Sequence, residues 1–159
     1  MMNQAISHVD DFGVIAWREE GVWRISRLAQ TRDLTSIMDQ LRAQQGDGGS
    51  LILIAIDEEF FLIARCVGRN MQMMVSDITY AAEYEIAADL IDMLDLPFPE
   101  EDDEPQPGGD IDLLTDFGIS AMELEVMSDD IDLYPEEQIT ALAGRLGFGE
   151  QFEQIYDRP

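Results

Sequence analysis

Carboxylates are the side chains with which this sequence is best equipped for chemistry, because it contains 34 Asp and Glu residues against one His and one Cys. A single imidazole, His8, and a single thiol, Cys66, cannot complete a zinc or iron site of the usual nitrogen and sulfur kind. They also leave no His placed to activate a Ser or Cys nucleophile. We expect His8 to be solvated near the N-terminus and Cys66 to be a buried, inert thiol among apolar residues.

The spacing of the carboxylates does not match a calcium-binding loop. In a loop that starts at Asp130, Asp132 fits the next ligand position. The positions for a third ligand, a glycine and a closing Glu are occupied by Tyr134, Pro135 and Ala141. No pair of carboxylates stands out for acid–base work among so many. The sequence therefore predicts no catalytic, cofactor-binding or metal-binding residue, and a protein that is not an enzyme.

Charge is distributed unevenly along the chain. All nine basic residues are Arg, the formal net charge is −25, and the pI is near 4.1. Residues 1–80 hold eleven acids and seven Arg, whereas residues 81–159 hold twenty-three acids and two Arg. A field of this sign repels phosphate backbones and anionic membranes, so we expect no direct binding of nucleic acid or of a membrane. It favours a basic protein partner, although a charged surface also serves solubility.

Cysteine usage favours a reducing compartment, and hydropathy gives no sign of a membrane span. Cys66 has no partner for an internal disulfide. No window reaches the roughly 18 apolar residues of a membrane span, and the N-terminus lacks the basic and apolar regions of a secretion signal. We therefore expect a cytoplasmic protein.

Apolar runs predict the scaffold that must carry these carboxylates. Five runs predict strands, at residues 12–17, 22–28, 51–56, 60–67 and 71–75. The continuous runs after residue 50 are typical of central strands covered on both faces. A helix capped by Asp33 follows the second strand, and another runs from Asp77 to about Leu94. The order ββαβββα predicts an α+β fold with a five-stranded antiparallel sheet, similar in order to roadblock-type and profilin-like folds.

The predicted helix from Asp77 to Leu94 has an unusually wide apolar face. On a helical wheel its apolar residues spread over roughly 220°, whereas a helix on one sheet needs a stripe of about 100° or somewhat more. The C-terminal helices or a second subunit must cover the excess. In the second case Tyr80, Tyr84 and Ile91 form a dimer face.

Composition divides the chain into four segments. Residues 1–11 are predicted to be a mobile N-terminal tail, and residues 12–96 an α/β sheet domain. Residues 97–109, which are acidic and rich in Pro and Gly, predict a linker. Residues 110–159 predict a small helical segment, with Ser120 in a capping box, Pro135 at a helix start and Gly147 after the end of that helix.

The C-terminal segment contains a distinctive set of four motifs: Gly109–Leu114, Gly118–Leu124, Asp132–Glu137 and Arg145–Phe152. Together they resemble the signature of the tRNA adenosine deaminase-associated protein family. The acidic turn Asp57–Glu59 and the acidic linker are compatible with it, so the resemblance covers about Phe12 to Tyr156. The family takes its name from gene proximity to a tRNA-editing deaminase, and the resemblance implies no activity and no catalytic residue.

The resemblance and the charge lead to one hypothesis: a small acidic accessory protein that binds the deaminase, or another basic RNA-handling protein, and modulates its access to RNA. Five residues in the family motifs are the predicted partner-binding face: Asp132, Tyr134, Arg145, Phe148 and Phe152. Packing is the alternative role, because Tyr-Pro at a helix start and Phe at i, i+4 are common packing devices, and Arg145 can pair with Glu150 or Asp132. The alternative function is a homodimeric scaffold of roadblock type with no direct link to tRNA editing.

Overall fold

An antiparallel sheet of six strands organises the computed structural model, which describes residues 11–130 and 132–156. The strands lie in the order β2-β1-β3-β4-β5-β6, and each neighbouring pair is antiparallel. They span Phe12–Glu19 (β1), Val22–Arg27 (β2), Ser50–Ile56 (β3), Phe60–Val67 (β4), Asn70–Val75 (β5) and Gly108–Gly109 (β6). The helices span Leu34–Ala43 (α1), Glu85–Met93 (α2), Ala121–Ser128 (α3), Pro135–Leu146 (α4) and Gly149–Tyr156 (α5). The predicted α+β class and antiparallel sheet are confirmed.

The prediction of five strands was wrong, because two glycines at the end of the predicted linker pair with β5. Gly108 lies opposite Val75, and Gly109 lies opposite Met74. At Gly109 φ is +103°, and a Cβ built there would lie 2.4 Å from the carbonyl oxygen of Met73. Only glycine tolerates both the positive φ and the short distance to the Met73 carbonyl. The glycines that led us to predict a flexible linker are therefore also the residues that let this segment approach β5 closely.

Helices cover both faces of the sheet, which explains why the central strands are continuously apolar. All seven residues of β3 are buried. Alternate residues point to opposite faces, so Leu51 and Leu53 pack with α3, α4 and α5, whereas Ile52 and Ile54 pack with α1 and α2. The C-terminal helices therefore share one core with the sheet.

The helix predicted from Asp77 to Leu94 is two elements. Asp77 caps a 3₁₀ turn, Ile78–Ala82, by accepting a hydrogen bond from the backbone N–H of Thr79 at 2.9 Å. The helix α2 begins only at Glu85. The break places Tyr80 and Tyr84 against Phe60, with both ring centroids 5.0 Å from that of Phe60. A wheel drawn around a single axis therefore overestimated the width of the apolar face.

The predicted helix caps are confirmed. The side chain of Asp33 accepts a hydrogen bond from the backbone N–H of Ser36, at the start of α1. Ser120 and Glu123 form a capping box at the start of α3. Pro135 is the first residue of α4, and Gly147 ends that helix with φ of +112°. The short polar and Gly/Pro signals thus located these helix ends.

Part of the predicted N-terminal tail, residues 1–10, lies outside the described residues, and so does His8. The last residue of that segment, Asp11, is described and buried. None of the helices in the described ranges is long and apolar enough to cross a membrane.

Candidate protein-interaction site

Arginines of the described chain are largely engaged by the chain itself. Arg32 binds Asp11 at 2.9 Å and Asp57 at 2.7 Å, and both carboxylates raise the pKa of Arg32. Other ion pairs join Arg24 to Glu19, Arg42 to Asp39, Arg65 to Asp116 and Arg145 to Glu123. These pairs use a small fraction of the 34 acidic residues, so most carboxylates keep uncompensated negative charge.

Arg65 fixes the beginning of the C-terminal segment to the sheet. It is buried on β4 and donates from Nη1 to the carbonyl of Leu113 at 2.9 Å and from Nη2 to Asp116 at 2.8 Å. Its guanidinium lies 4.4 Å from the centroid of the Phe117 ring. The hydrogen bonds from Arg65 hold the pKa of Asp116 below its ordinary value. This arginine is structural, and it orients the segment from which the next feature is built.

An acidic cleft of about 640 Å³ lies where four separate segments meet. We use the name acidic cleft for the space bounded by four segments. These are the β3–β4 turn, the 3₁₀ turn with the two residues before it, residues 104–105, and the residues from the end of α3 to the first turn of α4. Its lining residues are Glu58, Glu59, Ser76, Asp77, Tyr80, Glu104, Pro105, Ser128, Asp129, Asp130, Leu133, Tyr134, Pro135 and Gln138. Six of them are acidic, and among the described residues no basic side chain lines the cleft.

Half of these carboxylates have no hydrogen-bond or ion-pair partner among the described residues. Glu59 accepts a hydrogen bond from the hydroxyl of Tyr80, and Asp77 caps the 3₁₀ turn. By contrast Glu58, Glu104 and Asp129 are exposed, and no hydrogen bond or ion pair reaches their carboxylates from the described residues. Their mutual repulsion is uncompensated within the chain, so a cation in the cleft would be favoured.

The cleft also contains apolar and neutral polar groups. Tyr134 is 56 % exposed and Leu133 is 37 % exposed, so both side chains present apolar surface at the cleft. Gln138 is only 4 % exposed, and its Nε2 donates to the carbonyl of Met127 at 2.5 Å. Its Oε1 accepts no hydrogen bond from the described part of the chain. The cleft thus offers carboxylates, an aromatic ring and a buried amide to an occupant.

The five residues of the predicted partner-binding face do not form one surface. Tyr134 lines the cleft, and Asp132 is exposed two residues before it. Arg145 is ion-paired with Glu123, a partner other than the two weighed from sequence. Phe148 and Phe152 are fully buried against the sheet, where Phe152 meets Phe12 with ring centroids 5.3 Å apart. Partner binding by these residues stays a prediction. Because Phe148 and Phe152 are buried, the residues of this set that a partner can reach are Asp132, Tyr134 and Arg145.

Only part of the predicted dimer face is accessible at the surface of the chain. Ile91 is 2 % exposed and packs inside the chain, whereas Tyr80 and Tyr84 are partly exposed. The hydroxyl of Tyr84 donates to Asp57 at 2.9 Å, and burial, with this hydrogen bond, raises the pKa of Tyr84 to about 12. Burial also raises the pKa of Tyr80, whose hydroxyl donates to Glu59 at 2.5 Å. Both phenols therefore stay neutral and bound to carboxylates, and a dimer through this face stays a prediction.

Sequence reasoning missed most of the cleft, because its walls come from residues as far apart as Glu58 and Gln138. One local signal was available. Gln138 lies on the stripe of α4 that also carries Ile139 and Leu142, and a polar residue on an apolar stripe marks a buried polar group. Nothing comparable distinguishes Glu104 from its acidic neighbours in the sequence.

The fold and site together define a small α+β protein in which helices enclose a sheet and an acidic cleft lies at its end. The chain belongs to the Rv3753c-like tRNA adenosine deaminase-associated protein family, which matches residues 11–149. It is similar to Protein Rv3753c of Mycobacterium tuberculosis (strain ATCC 25618 / H37Rv), with 38 % identity that covers 99 % of this chain and 94 % of that protein. No solved structure gives a significant match. The family description names a protein associated with a deaminase rather than a deaminase.

Proposed function

We propose that this chain is a non-enzymatic, acidic accessory protein that binds a basic protein partner, with a tRNA adenosine deaminase as the favoured partner. The observation that carries the proposal is the acidic cleft, which has six carboxylates in its lining and no described cation to neutralise them. The family description supports the choice of partner, because it associates the family with that deaminase.

The proposed action is competition for a basic surface. An enzyme that binds tRNA needs a basic surface, and a chain with net charge −25 is drawn to it by the same field that attracts RNA. Because this chain repels phosphate, it occupies the protein surface and not the RNA. Its binding would therefore reduce the access of the deaminase to tRNA.

Size-exclusion chromatography of the purified chain with the deaminase from the same organism tests this function. We expect a complex at about 50 mM salt that dissociates at about 500 mM, since the Debye length falls from roughly 14 Å to about 4 Å. Mass detection on the same column measures whether the free chain is a monomer, which tests the homodimeric scaffold. No complex at the lower salt concentration would contradict the proposal.

A further inference from the structure

We infer that the outward side of helix α3 docks against an amphipathic helix of the protein partner, one whose apolar stripe is bordered by Lys or Arg. We call this side the α3 face and define it by Met122, Glu125, Val126 and Asp129. The inference rests on the proposed function and goes beyond it, because it assigns an apolar contact in addition to the attraction between charges.

The apolar part of the α3 face is the most exposed of its kind. Met122 and Val126 are 75 % and 66 % exposed, more than any other large apolar side chain in the described part of the chain. They lie one helical turn apart, at i and i+4, so they form one surface. The opposite side of the same helix is already in the core, where Leu124 is fully buried and Met127 partly buried. Single exposed apolar residues are normal, but a helix that is apolar on both sides indicates a second contact.

The fold itself does not need apolar residues at these two positions. Met122 and Val126 belong to neither core of the described chain. The neighbouring helices expose polar residues instead, such as Glu137 on α4 and Glu153 and Gln154 on α5. Because the two apolar side chains of α3 contribute to no core within the chain, a contact with another molecule accounts for them better than packing does.

The charge beside the apolar pair determines which occupant fits. Glu125 lies three residues after Met122, and Asp129 lies three residues after Val126, so helical spacing places both carboxylates next to the pair. Both are exposed, and no hydrogen bond or ion pair reaches either carboxylate from the described residues. A second copy of this chain would bring the same acids against them, and an anionic lipid surface would repel them. A protein surface with apolar and basic side chains is complementary to both parts of the face.

The shape of the α3 face favours a helix as that surface. Side chains at i and i+4 form a ridge, and such a ridge packs into the groove between the matching rows of another helix. A helix of the length of α3 extends about 12 Å, so about two turns of a partner helix cover it. Strand addition is not available here, since α3 offers no strand edge.

Fluorescence anisotropy tests the assignment with a labelled peptide of Leu and Lys, arranged so that Leu forms one helical stripe. A peptide of the same composition with Leu spread around the helix removes the stripe. A Leu-Glu peptide keeps the stripe and reverses the charge.

The face variant of the full chain carries Met122→Gln and Val126→Gln. Its matched control carries Met93→Gln and Phe98→Gln, which replace two apolar side chains that are 50 % and 59 % exposed outside α3. Circular dichroism of both variants verifies that the helices are retained.

We expect the face variant to weaken binding of the striped Leu-Lys peptide about tenfold, at about 50 mM and at about 500 mM salt, because salt does not screen apolar burial. The control variant should change affinity less than about twofold. A charge variant with Glu125→Gln and Asp129→Asn should weaken binding about threefold at the lower salt concentration and not at the higher.

Equal weakening by the face and control variants would overturn the inference, as would equal affinity of the wild-type chain for the striped Leu-Lys peptide and either of the other two. A wild-type chain that is a dimer, with a face variant that is a monomer at the same concentration, would assign the α3 face to a second copy and also overturn it.

The same variants separate this inference from the proposed function. If the wild-type chain and the face variant bind the deaminase equally, the function stands and the α3 face fails. If the wild-type chain binds the striped Leu-Lys peptide through the α3 face but forms no complex with the deaminase, the face stands and the proposed partner fails.

Discussion

Tyr84 illustrates how single side chains join the acidic turn to the core. Its ring packs against Phe60, its hydroxyl donates to Asp57, and the guanidinium of Arg32 lies 5.4 Å from its centroid. Arg32 in turn binds Asp11 and Asp57. This network ties the residue before β1 to the β3–β4 turn, and it neutralises carboxylates that would otherwise repel each other beside the cleft.

The raised pKa of Tyr84 makes stability sensitive to alkaline pH. Burial raises it from an ordinary value of 10.0 to about 12, so the neutral phenol is favoured in the folded state. Its contribution to stability is complete below pH 10.0 and is lost as pH rises through about 12. Urea unfolding across this range should show a steeper loss of stability for the wild-type chain than for Tyr84→Phe. Parallel losses in the two proteins would contradict this role.

At the scale of elements, apolar runs located the first five strands, because strands covered on both faces need no alternation of polar residues. The sixth strand was missed, since Gly108 and Gly109 have no side chains and give no apolar signal. The prediction of one continuous helix from Asp77 to Leu94 was wrong for another reason. Both Tyr80 and Tyr84 fit a helical spacing. Stacking of Tyr80 on Phe60, an edge-to-face contact of Tyr84 with the same ring and capping by Asp77 favour a break between them.

The close approach at Gly109 predicts a costly substitution. Because a Cβ there would meet the backbone of Met73, Gly109→Ala should lower the free energy of unfolding by about 2–4 kcal/mol. Thermal unfolding followed by circular dichroism measures the change. Gly118→Ala is the control, since φ there is also positive, at +84°, but no atom lies near the added Cβ. It should cost about 1 kcal/mol, and equal costs would contradict the sixth strand.

Burial of α5 predicts that Phe152 supports the fold. The ring is fully buried and meets Phe12, so Phe152→Ala should lower the free energy of unfolding by about 3–5 kcal/mol. Met122→Ala on α3 is the control, because Met122 is 75 % exposed and should change stability by less than about 0.5 kcal/mol. Urea unfolding measures both. A small effect at Phe152 would instead favour its predicted role in partner binding.

For the whole molecule, the charge count predicted the sign of the field but not where it is concentrated. The sequence placed the acidic excess after residue 80, yet the cleft also uses Glu58 and Glu59 from the turn before β4. Those residues meet Asp129 and Asp130 only because helices α3 and α4 pack on the sheet. Folding therefore brings together acidic residues that are distant in the chain. Their spacing in the sequence does not predict that they line one cleft.

The central claim is that this concentrated negative charge binds a cationic protein surface. Its most direct test is the dissociation constant of the complex with the tRNA adenosine deaminase, measured by anisotropy between about 50 and 500 mM salt. The account predicts that affinity falls at least about tenfold over this range, because screened charges supply the attraction. A dissociation constant that does not change with salt, or no binding at the lowest concentration, would contradict it.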